Sequence, residues 1–312
     1  MIKVGSLYSG IGGICLGFRN NGCDIAWANE FDTNACKTYR LNFKHNLIES
    51  DVHKIDISKL ENVDIITAGY PCQPFSLAGK LKGFSDHRGN HFFKVMEIVN
   101  ILKPRCIFFE NVKNLLSHDK GNTIKIIEKS LSDSGYFFKY DILNTKDYGN
   151  IPQNRERIYI VAFSNENSFL NFRFPGKIKL ENKISDLITK DKVEEKFYYT
   201  EGKYKLKNYE EILNIKNKES VYHWRRYYIR ENKNNVCPTL TANMGTGGHN
   251  VPIILTEHGV RKLTPLECLR FQGFPENYIL PDLASSHIYK QAGNSVSVPV
   301  IERIAKNILD VL

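Results

Sequence analysis

Residues 2–18, IKVGSLYSGIGGICLGF, pass from a short apolar, β-branched run through closely spaced glycines into a segment of helical spacing. A strand that ends in a glycine turn and feeds a helix opens a β-α-β unit. The same rhythm recurs in DIAWANE (24–30), VDIITAGY (63–70), CIFFEN (106–111), YDILNT (140–145) and RIYIVAF (157–163). Between these runs, Phe92, Met96 and Val99 share one face of a helix expected to end near Pro104, and Ile124, Ile127 and Leu131 do the same ahead of Gly135. The alternation predicts an α/β fold with a doubly wound, mostly parallel sheet covered on both faces and ligands at the carboxyl ends of its strands. After FRFPGKIKL (172–180) the rhythm gives way to a Lys/Asn/Tyr-rich region, so a domain boundary is expected near Pro175.

The glycine turn has its own chemistry. Gly10, Gly12 and Gly13 allow a tight turn and close backbone approach to a ligand, although such turns are often only turns. Cys15 stands where a dinucleotide fingerprint would have its third glycine, which argues against a bound pyrophosphate. Glu30, at the end of the second expected strand, suits the ribose hydroxyls of a nucleoside cofactor, and Asp51, just past an expected strand, adds to that reading.

With 312 residues, 42% apolar and 25% charged, the chain can bury a full core. Its start lacks the pattern of a secretion signal, and no stretch approaches the roughly 20 apolar residues of a spanning helix. A soluble cytoplasmic protein with no membrane association is expected. Seven scattered cysteines without a Cys-x-x-Cys pair favour neither a disulfide framework nor a metal cluster. The net charge of +9 fits a polyanionic partner, though a Lys- and Asn-rich composition can equally reflect an AT-rich genome. Residues 177–262 hold 17 Lys/Arg against 11 Asp/Glu, so the surplus is concentrated there.

Cys72 stands apart from the other thiols. Cys15, Cys36 and Cys106 fit the ordinary role of small core residues. Cys72 follows a strand and sits between Pro71 and Gln73-Pro74, which stiffens the backbone where a nucleophile would be presented at the sheet edge. A cysteine that merely ends a strand is the alternative. Glu110 and Asn111 follow the apolar run 107–109, which puts a carboxyl at a neighbouring strand's end, able to deliver or share a proton there or simply to cap a helix. Gln153, Arg155 and Arg157 occupy alternate positions, and in one strand all three would share a face and suit an anionic or carbonyl-rich ligand.

Taken in order and spacing, SLYSGIGG (6–13), GYPCQPFS (69–76), FENVKN (109–114), QNRERIY (153–159), RKLTPLECLRFQGFP (261–275) and YKQAGNSV (289–296) resemble the motifs of the cytosine-5 DNA methyltransferases, in particular the single-domain bacterial enzymes of type II restriction-modification systems. The resemblance spans nearly the whole chain. It implies a Rossmann-like, S-adenosylmethionine-dependent methyltransferase fold over residues 1–175, a smaller target-recognition domain and hinge over 176–275, and a return to the catalytic domain over 276–312. Cys72 would add to carbon 6 of a flipped-out cytosine so that carbon 5 can be methylated. Glu110 would hold the exocyclic amine and protonate the ring nitrogen, Arg157 would contact the base carbonyl, and Arg155 would support Cys72 and the pocket.

S-adenosylmethionine would lie against Tyr8, Gly10, Gly12, Glu30, Phe31, Asp51, Pro71 and Asn294. Tyr8 departs from the phenylalanine usual in the family but keeps an aromatic ring. Lys80, Lys82 and Arg88, in a glycine-punctuated loop, would meet phosphates of double-stranded DNA. Arg225, Arg226, Arg230 and Thr239, the last in a Thr-Leu pair similar to the family's signature, would contact the target. The segment 176–258 is similar to those of enzymes acting on short GC-rich sites such as GCNGC. A monomer is expected, associated with the nucleoid through DNA, whose cognate endonuclease shares the site without needing to bind.

Three other classes are weighed against this. A thiol hydrolase would need a histidine base, and His87 and His91 lack an aligned third partner. A protein that only binds DNA has no use for Glu110. The tRNA-methylating branch of the same family shares the catalytic blocks, and the target region after PCQPFS favours DNA over it.

Overall fold

The computed structural model describes residues 1–71, 91–200, 209–225, 228–232, 234–244 and 251–312. Cys72, Lys80, Lys82, His87, Arg88 and Arg226 lie outside the described residues. The chain divides into two units, one formed by residues 1–143, 156–176 and 300–312, the other by 144–155 and 177–299.

The first unit is built on β1 (Lys3–Leu7), α1 (Gly13–Arg19), β2 (Asp24–Glu30), α2 (Thr33–Asn42), β3 (Asn46–Glu49), β4 (Ile65–Ala68), α3 (His91–Leu102), β5 (Cys106–Val112), α4 (Asn122–Asp133) and β6 (Phe137–Asn144). After α5 (Thr145–Tyr148) it resumes with β7 (Glu156–Phe163) and α6 (Glu166–Asn171). The sheet runs β3-β2-β1-β4-β5-β7-β6. The first five strands pair in parallel, and β7 joins β5 antiparallel. All six runs expected as strands are strands, and β3 adds a seventh that ends two residues before Asp51.

Alternation along the strands gives each face its own core. Leu7, Ile66, Ile107, Phe109, Ile158 and Ile160 pack with Phe92, Val95 and Met96 of α3 and Ile124 and Ile127 of α4. On the other face Phe108 meets Phe18 of α1 at 5.5 Å, and a Cβ at Gly17 would come within 2.5 Å of Ile301. Helices therefore cover both faces, as a mostly parallel sheet requires. The helix ends also follow their local chemistry. Asp32 accepts the amides of Asn34 and Ala35 at the start of α2, and Gly135, at φ 83°, lets the chain reverse after α4.

The second unit holds α7 (Ile184–Leu187), α8 (Tyr209–Leu213), β8 (Val221–Arg225), β9 (Tyr228–Asn232), β10 (Ile253–Thr256), β11 (Gly259–Lys262), α9 (Pro265–Arg270) and α10 (Ser285–Asn294), and α11 (Val298–Leu309) begins in it. Its antiparallel sheet runs β11-β10-β8-β9 over a small core of Tyr209, Ile212, Tyr222 and Ile253. The block RKLTPLECLRF gives this unit its most buried polar structure. Thr264 and Glu267 form a capping box with Pro265 at the first helical position. Glu267 also accepts both terminal nitrogens of Arg261 at 2.7 Å, with neither side chain exposed. Burial alone would raise the Glu267 pKa, but the Arg261 guanidinium and the amides of Thr264 and Thr189 outweigh it and hold the carboxyl below its ordinary value. Among the described residues no helix is long and apolar enough to cross a membrane.

Candidate active site

The parallel strands of the first unit point their carboxyl ends to one edge, and of the residues singled out in the sequence Tyr8, Gly10, Gly12, Glu30, Phe31 and Glu110 follow or end these strands. β1 is followed by Tyr8, whose φ of 53° is unusual for a side-chain-bearing residue, and then by Gly10 at 55° and Gly12 at 88°. The two glycines differ in what they meet. A Cβ at Gly12 would fall 2.3 Å from the Phe43 ring, so packing excludes a side chain there, whereas a Cβ at Gly10 would have nothing within 4 Å among the described residues.

Glu30, at the end of β2, organises this loop. Its Oε2 accepts the Gly10 amide at 2.8 Å, and its Oε1 accepts those of Phe31 and Asp32 at 2.9 Å. Three of the roughly four acceptor positions of a carboxylate are thereby used, leaving one on the Oε2 side. Phe31 is 69% exposed beside it, an aromatic face that core packing does not account for. Asp51 is exposed, its Oδ1 accepting the His53 amide. These groups fit the cofactor that the resemblance implies: an acceptor for ribose, an open ring face for a base, and open space above Gly10.

Asn29 and His91, which sequence reasoning did not select, contribute to this edge. The buried Asn29 amide donates to the carbonyls of Ile48 and Ser50, just ahead of Asp51. His91 Nδ1 lies 2.9 Å from the Tyr8 hydroxyl. Burial, with the charges of Asp51 and Glu30, pushes the Tyr8 phenol up, while burial and His53 push His91 down, so the bond joins a neutral phenol to a neutral imidazole. That bond is made by the hydroxyl that distinguishes tyrosine from phenylalanine.

At the end of β5, Glu110 is 8% exposed and its Oε1 lies 3.1 Å from Arg157 Nε on the adjacent β7. Among the described residues this buried oxygen has no hydrogen-bond partner, so it is held by the charge of Arg157. Glu110 Oε2 stands 3.8 Å from where a Gly69 Cβ would be, and Asn111 Nδ2 donates to the Tyr70 carbonyl at 3.0 Å. The backbone leading to the exposed Pro71 is thus tied to the strand that carries Glu110. Each of the other six cysteines is buried, and burial pushes its thiol up, Cys23 to about 11 and Cys36 to about 12. None of these six is poised as a thiolate near neutral pH.

The expectation that Gln153, Arg155 and Arg157 share one strand face is corrected by the structure. β7 begins at Glu156, and Gln153 and Arg155 belong to the second unit. The Asn154 amide donates to the Cys237 carbonyl and the Cys237 amide to that of Pro152, which draws this segment out of the strand. Gln153 then donates to the Phe271 carbonyl, and Arg155, 2% exposed, donates to the carbonyls of Leu240, Gly293 and Ser295. Asn294 is exposed between buried Gly293 and Ser295 at the end of α10.

The second unit also contains a polar cleft of about 730 Å³ lined by Arg225, Arg230, His223, Asn232, Thr239 and Lys146, among others. The strand register explains the grouping. His223 pairs with Arg230 and Val221 with Asn232, so alternation puts His223, Arg225, Arg230 and Asn232 on one face of the hairpin while Tyr222, Trp224 and Ile229 turn to the apolar core. Among the described residues neither Arg225 nor Arg230 has a carboxylate partner, and Asp147, also at the cleft, is paired with Lys146.

Residues 2–310 match the family model described as C-5 cytosine-specific DNA methylase. The chain is 53% identical over 312 residues to the type II methyltransferase M.Bsp6I of Bacillus sp. (strain RFL6), covering 99% of this chain and 98% of that one. It is 37% identical to the type II methyltransferase M.HhaI of Haemophilus parahaemolyticus, over 97% and 92% of the two chains. Among solved structures, DNMT2 of Spodoptera frugiperda superposes with a TM-score of 0.76 at 23% identity, over 99% of this chain and 100% of that one, a likeness of fold. With the family model matched almost end to end and the relatives aligned over nearly their full length, the chain belongs to the C-5 cytosine-specific DNA methylases.

Proposed function

We propose that the protein methylates carbon 5 of a cytosine within a short sequence of duplex DNA, as the modification enzyme of a type II restriction-modification system. The observation that carries the catalytic reading is the Glu110–Arg157 pair at the edge of the sheet, next to the segment that leads to Cys72, with a buried carboxylate oxygen that has no hydrogen-bond partner among the described residues. Carbon 5 of cytosine is a weak nucleophile. A Cys72 thiolate bonding to carbon 6 pushes electron density toward carbon 5, and Glu110, carrying a proton to the ring nitrogen and accepting from the exocyclic amine, relieves the charge that builds up. Arg157 donates to the base carbonyl and keeps Glu110 oriented. Loss of the carbon 5 proton then lets the sulfur leave. Elimination supports Cys72 as the nucleophile, because the six other thiols are buried and held protonated.

The family's methyl donor is S-adenosylmethionine, which when bound supplies an electrophilic methyl group. In this chain Glu30 would accept from the ribose, Phe31 would stack on the base, and the open turn at Gly10, with Tyr8, Gly12, Asp51, Pro71 and Asn294, would complete its surroundings. Residues 176–275 would carry target recognition, with Arg225, Arg230 and Thr239 at the DNA and a GC-rich target of the GCNGC kind. Lys80, Lys82, Arg88 and Arg226 are proposed as further DNA contacts on the resemblance alone. The relatives at 37–53% identity are named type II methyltransferases, which favours DNA over the tRNA-methylating alternative.

The test is transfer of labelled methyl groups from S-adenosylmethionine to plasmid DNA and to tRNA, followed by bisulfite sequencing of the plasmid. Label on DNA that is lost in Cys72→Ala, with cofactor affinity retained, is expected. Label on tRNA alone would reverse the choice of substrate.

A further inference from the structure

The polar cleft of the second unit has one lining residue that its neighbours fix atom by atom. Asn154 is exposed and lines the cleft. Its amide donates to the Cys237 carbonyl at 2.8 Å, and its own carbonyl accepts from Thr239 Oγ1. The backbone at Asn154 is thus held from both sides.

The side chain is held too, and its neighbours decide which way round it lies. Asn144, which is buried, caps α5: its Oδ1 accepts the Arg155 amide at 3.1 Å and the Lys146 amide at 3.4 Å. Backbone N–H groups only donate, so the other end of the Asn144 side chain is its NH2 group. That group donates to Asn154 Oδ1 at 2.7 Å. The oxygen of Asn154 is therefore turned to Asn144, and its own NH2 group, with two donor hydrogens, is the end left for the cleft. Among the described residues that NH2 group has no hydrogen-bond partner.

An asparagine that reads adenine uses its oxygen and nitrogen together. Asn154 presents only donors, in a cleft that also holds Arg225 and Arg230. An acceptor-only, anionic group matches all three. We propose that Asn154 donates to a phosphate oxygen of the DNA backbone, and that Asn144 is the positioning residue that turns the NH2 group outward. The inference rests on the reading of the cleft as the DNA site. A contact of this kind sets the register of the protein on the duplex without reading sequence. The major-groove edge of guanine is also acceptor-only, and the test separates the two.

The test measures the affinity of a labelled duplex by fluorescence anisotropy at several salt concentrations, for the methylated sequence and its single-base variants. Asn154→Ala should weaken binding by about tenfold or more, as expected for a hydrogen bond to a charged group. The loss should be equal across the site variants and leave the salt dependence unchanged, because a neutral donor releases no counterion. Asn154→Asp keeps the acceptor for Asn144 but aims a carboxylate oxygen at the phosphate, and should lose more. Asn144→Asp keeps the cap and replaces the donor by an acceptor, so Asn154 turns its NH2 group to the carboxylate and its oxygen to the DNA. That variant should weaken binding about as much as Asn154→Ala, yet add less than about twofold when Asn154 is already alanine. A merely structural or electrostatic effect of Asn144→Asp would persist in that background.

Unchanged affinity in a folded Asn154→Ala protein overturns the proposal. So does a loss confined to one base position, which assigns the NH2 group to a guanine edge. A loss that Asn144→Asp adds in full to Asn154→Ala overturns the positioning role. If Asn144→Asp does not fold, the two variants at Asn154 carry the decision. A wild type that methylates no DNA removes the underlying reading instead, which separates the two failures.

Discussion

Replacing Glu110 by glutamine keeps the size of the side chain and an acceptor oxygen but removes the charge and the transferable proton. The structure separates two consequences. Glu110 Oε1 lies 3.1 Å from Arg157 Nε with both side chains largely buried, so at an effective dielectric near 20 the attraction lost is about 5 kcal/mol before desolvation is subtracted. The net cost to folding should sit at or below the low end of the about 3–5 kcal/mol found when one partner of a buried pair is removed, because the amide dipole can still face the guanidinium. Catalysis loses more than orientation. A positioned acid contributes typically about 10²–10⁴ in rate, or about 3–5 kcal/mol of barrier. Single-turnover transfer from labelled S-adenosylmethionine should therefore fall by at least about a hundredfold, while cofactor affinity, which the proposed site near Glu30 would govern, stays within about twofold. Thermal unfolding on the same samples reports the stability cost separately. A folded Glu110→Gln enzyme within about threefold of wild type in the single-turnover step would refute the proton-carrying role.

Arg230→Ala should relax selectivity at one position of the methylated sequence if that guanidinium reads a base edge, by about 1–3 kcal/mol, and bisulfite sequencing of a library of variant sites would show it; a uniform loss across sites would assign Arg230 to phosphate instead. Exchanging residues 176–258 for the corresponding segment of a relative with a different target should move the methylated site, and an unmoved site would count against recognition by this segment. Glu267→Gln should destabilise the fold by about 3–5 kcal/mol at neutral pH, because Arg261 is left as a fully buried charge. Since the folded Glu267 pKa is depressed, that stabilisation is complete above the unfolded value of roughly 4.3 and is lost as pH falls through the lower folded value; the gap between wild type and variant in urea titrations should narrow only in that acid range. Tyr8→Phe should cost about 0.5–1.5 kcal/mol through the lost bond to His91 and leave cofactor affinity, measured by calorimetry, within about twofold.

The first sheet was legible because buried parallel strands carry their signal locally, as apolar runs bounded by glycine, proline or a carboxylate. β3 gave no such run: NLIE is a four-residue edge strand with no fully buried residue, so only the position of Asp51 hinted at it. The strand ends at Glu30 and Glu110 were equally readable, but the sequence does not show that Glu30 accepts three backbone amides or that Glu110 faces Arg157. Arg155 illustrates the limit most clearly. Alternation in QNRER suggested one strand, and what separates its members is the pairing of Asn154 with Cys237 and the carbonyls of Leu240, Gly293 and Ser295, all more than 80 residues away. The antiparallel strands of the second unit were hidden for a related reason. In VYHWR and YIREN, Val221 and Tyr228 stand on the polar face and Glu231 on the apolar one, so the alternation that would mark a half-buried strand is broken.

That polar face also bears on the excess positive charge. An AT-rich genome would account for many Lys and Asn codons but not for where the charge goes once the chain folds. In the second unit four cations away from the cleft are neutralised in place: Arg261 by Glu267, Lys218 by Glu257, Lys192 by Glu195 and Lys196 by Glu194. At the cleft, Lys146 is matched by Asp147, while Arg225 and Arg230 have no carboxylate partner among the described residues. Both sit on the face of a two-stranded ribbon, a shape that a DNA major groove admits, and arginine rather than lysine supplies the planar donors that match a phosphate or the edge of guanine. Compositional bias is indifferent to such placement. A surface selected to meet a polyanion requires it, because a carboxylate beside either arginine would compete with the phosphates for the same donors.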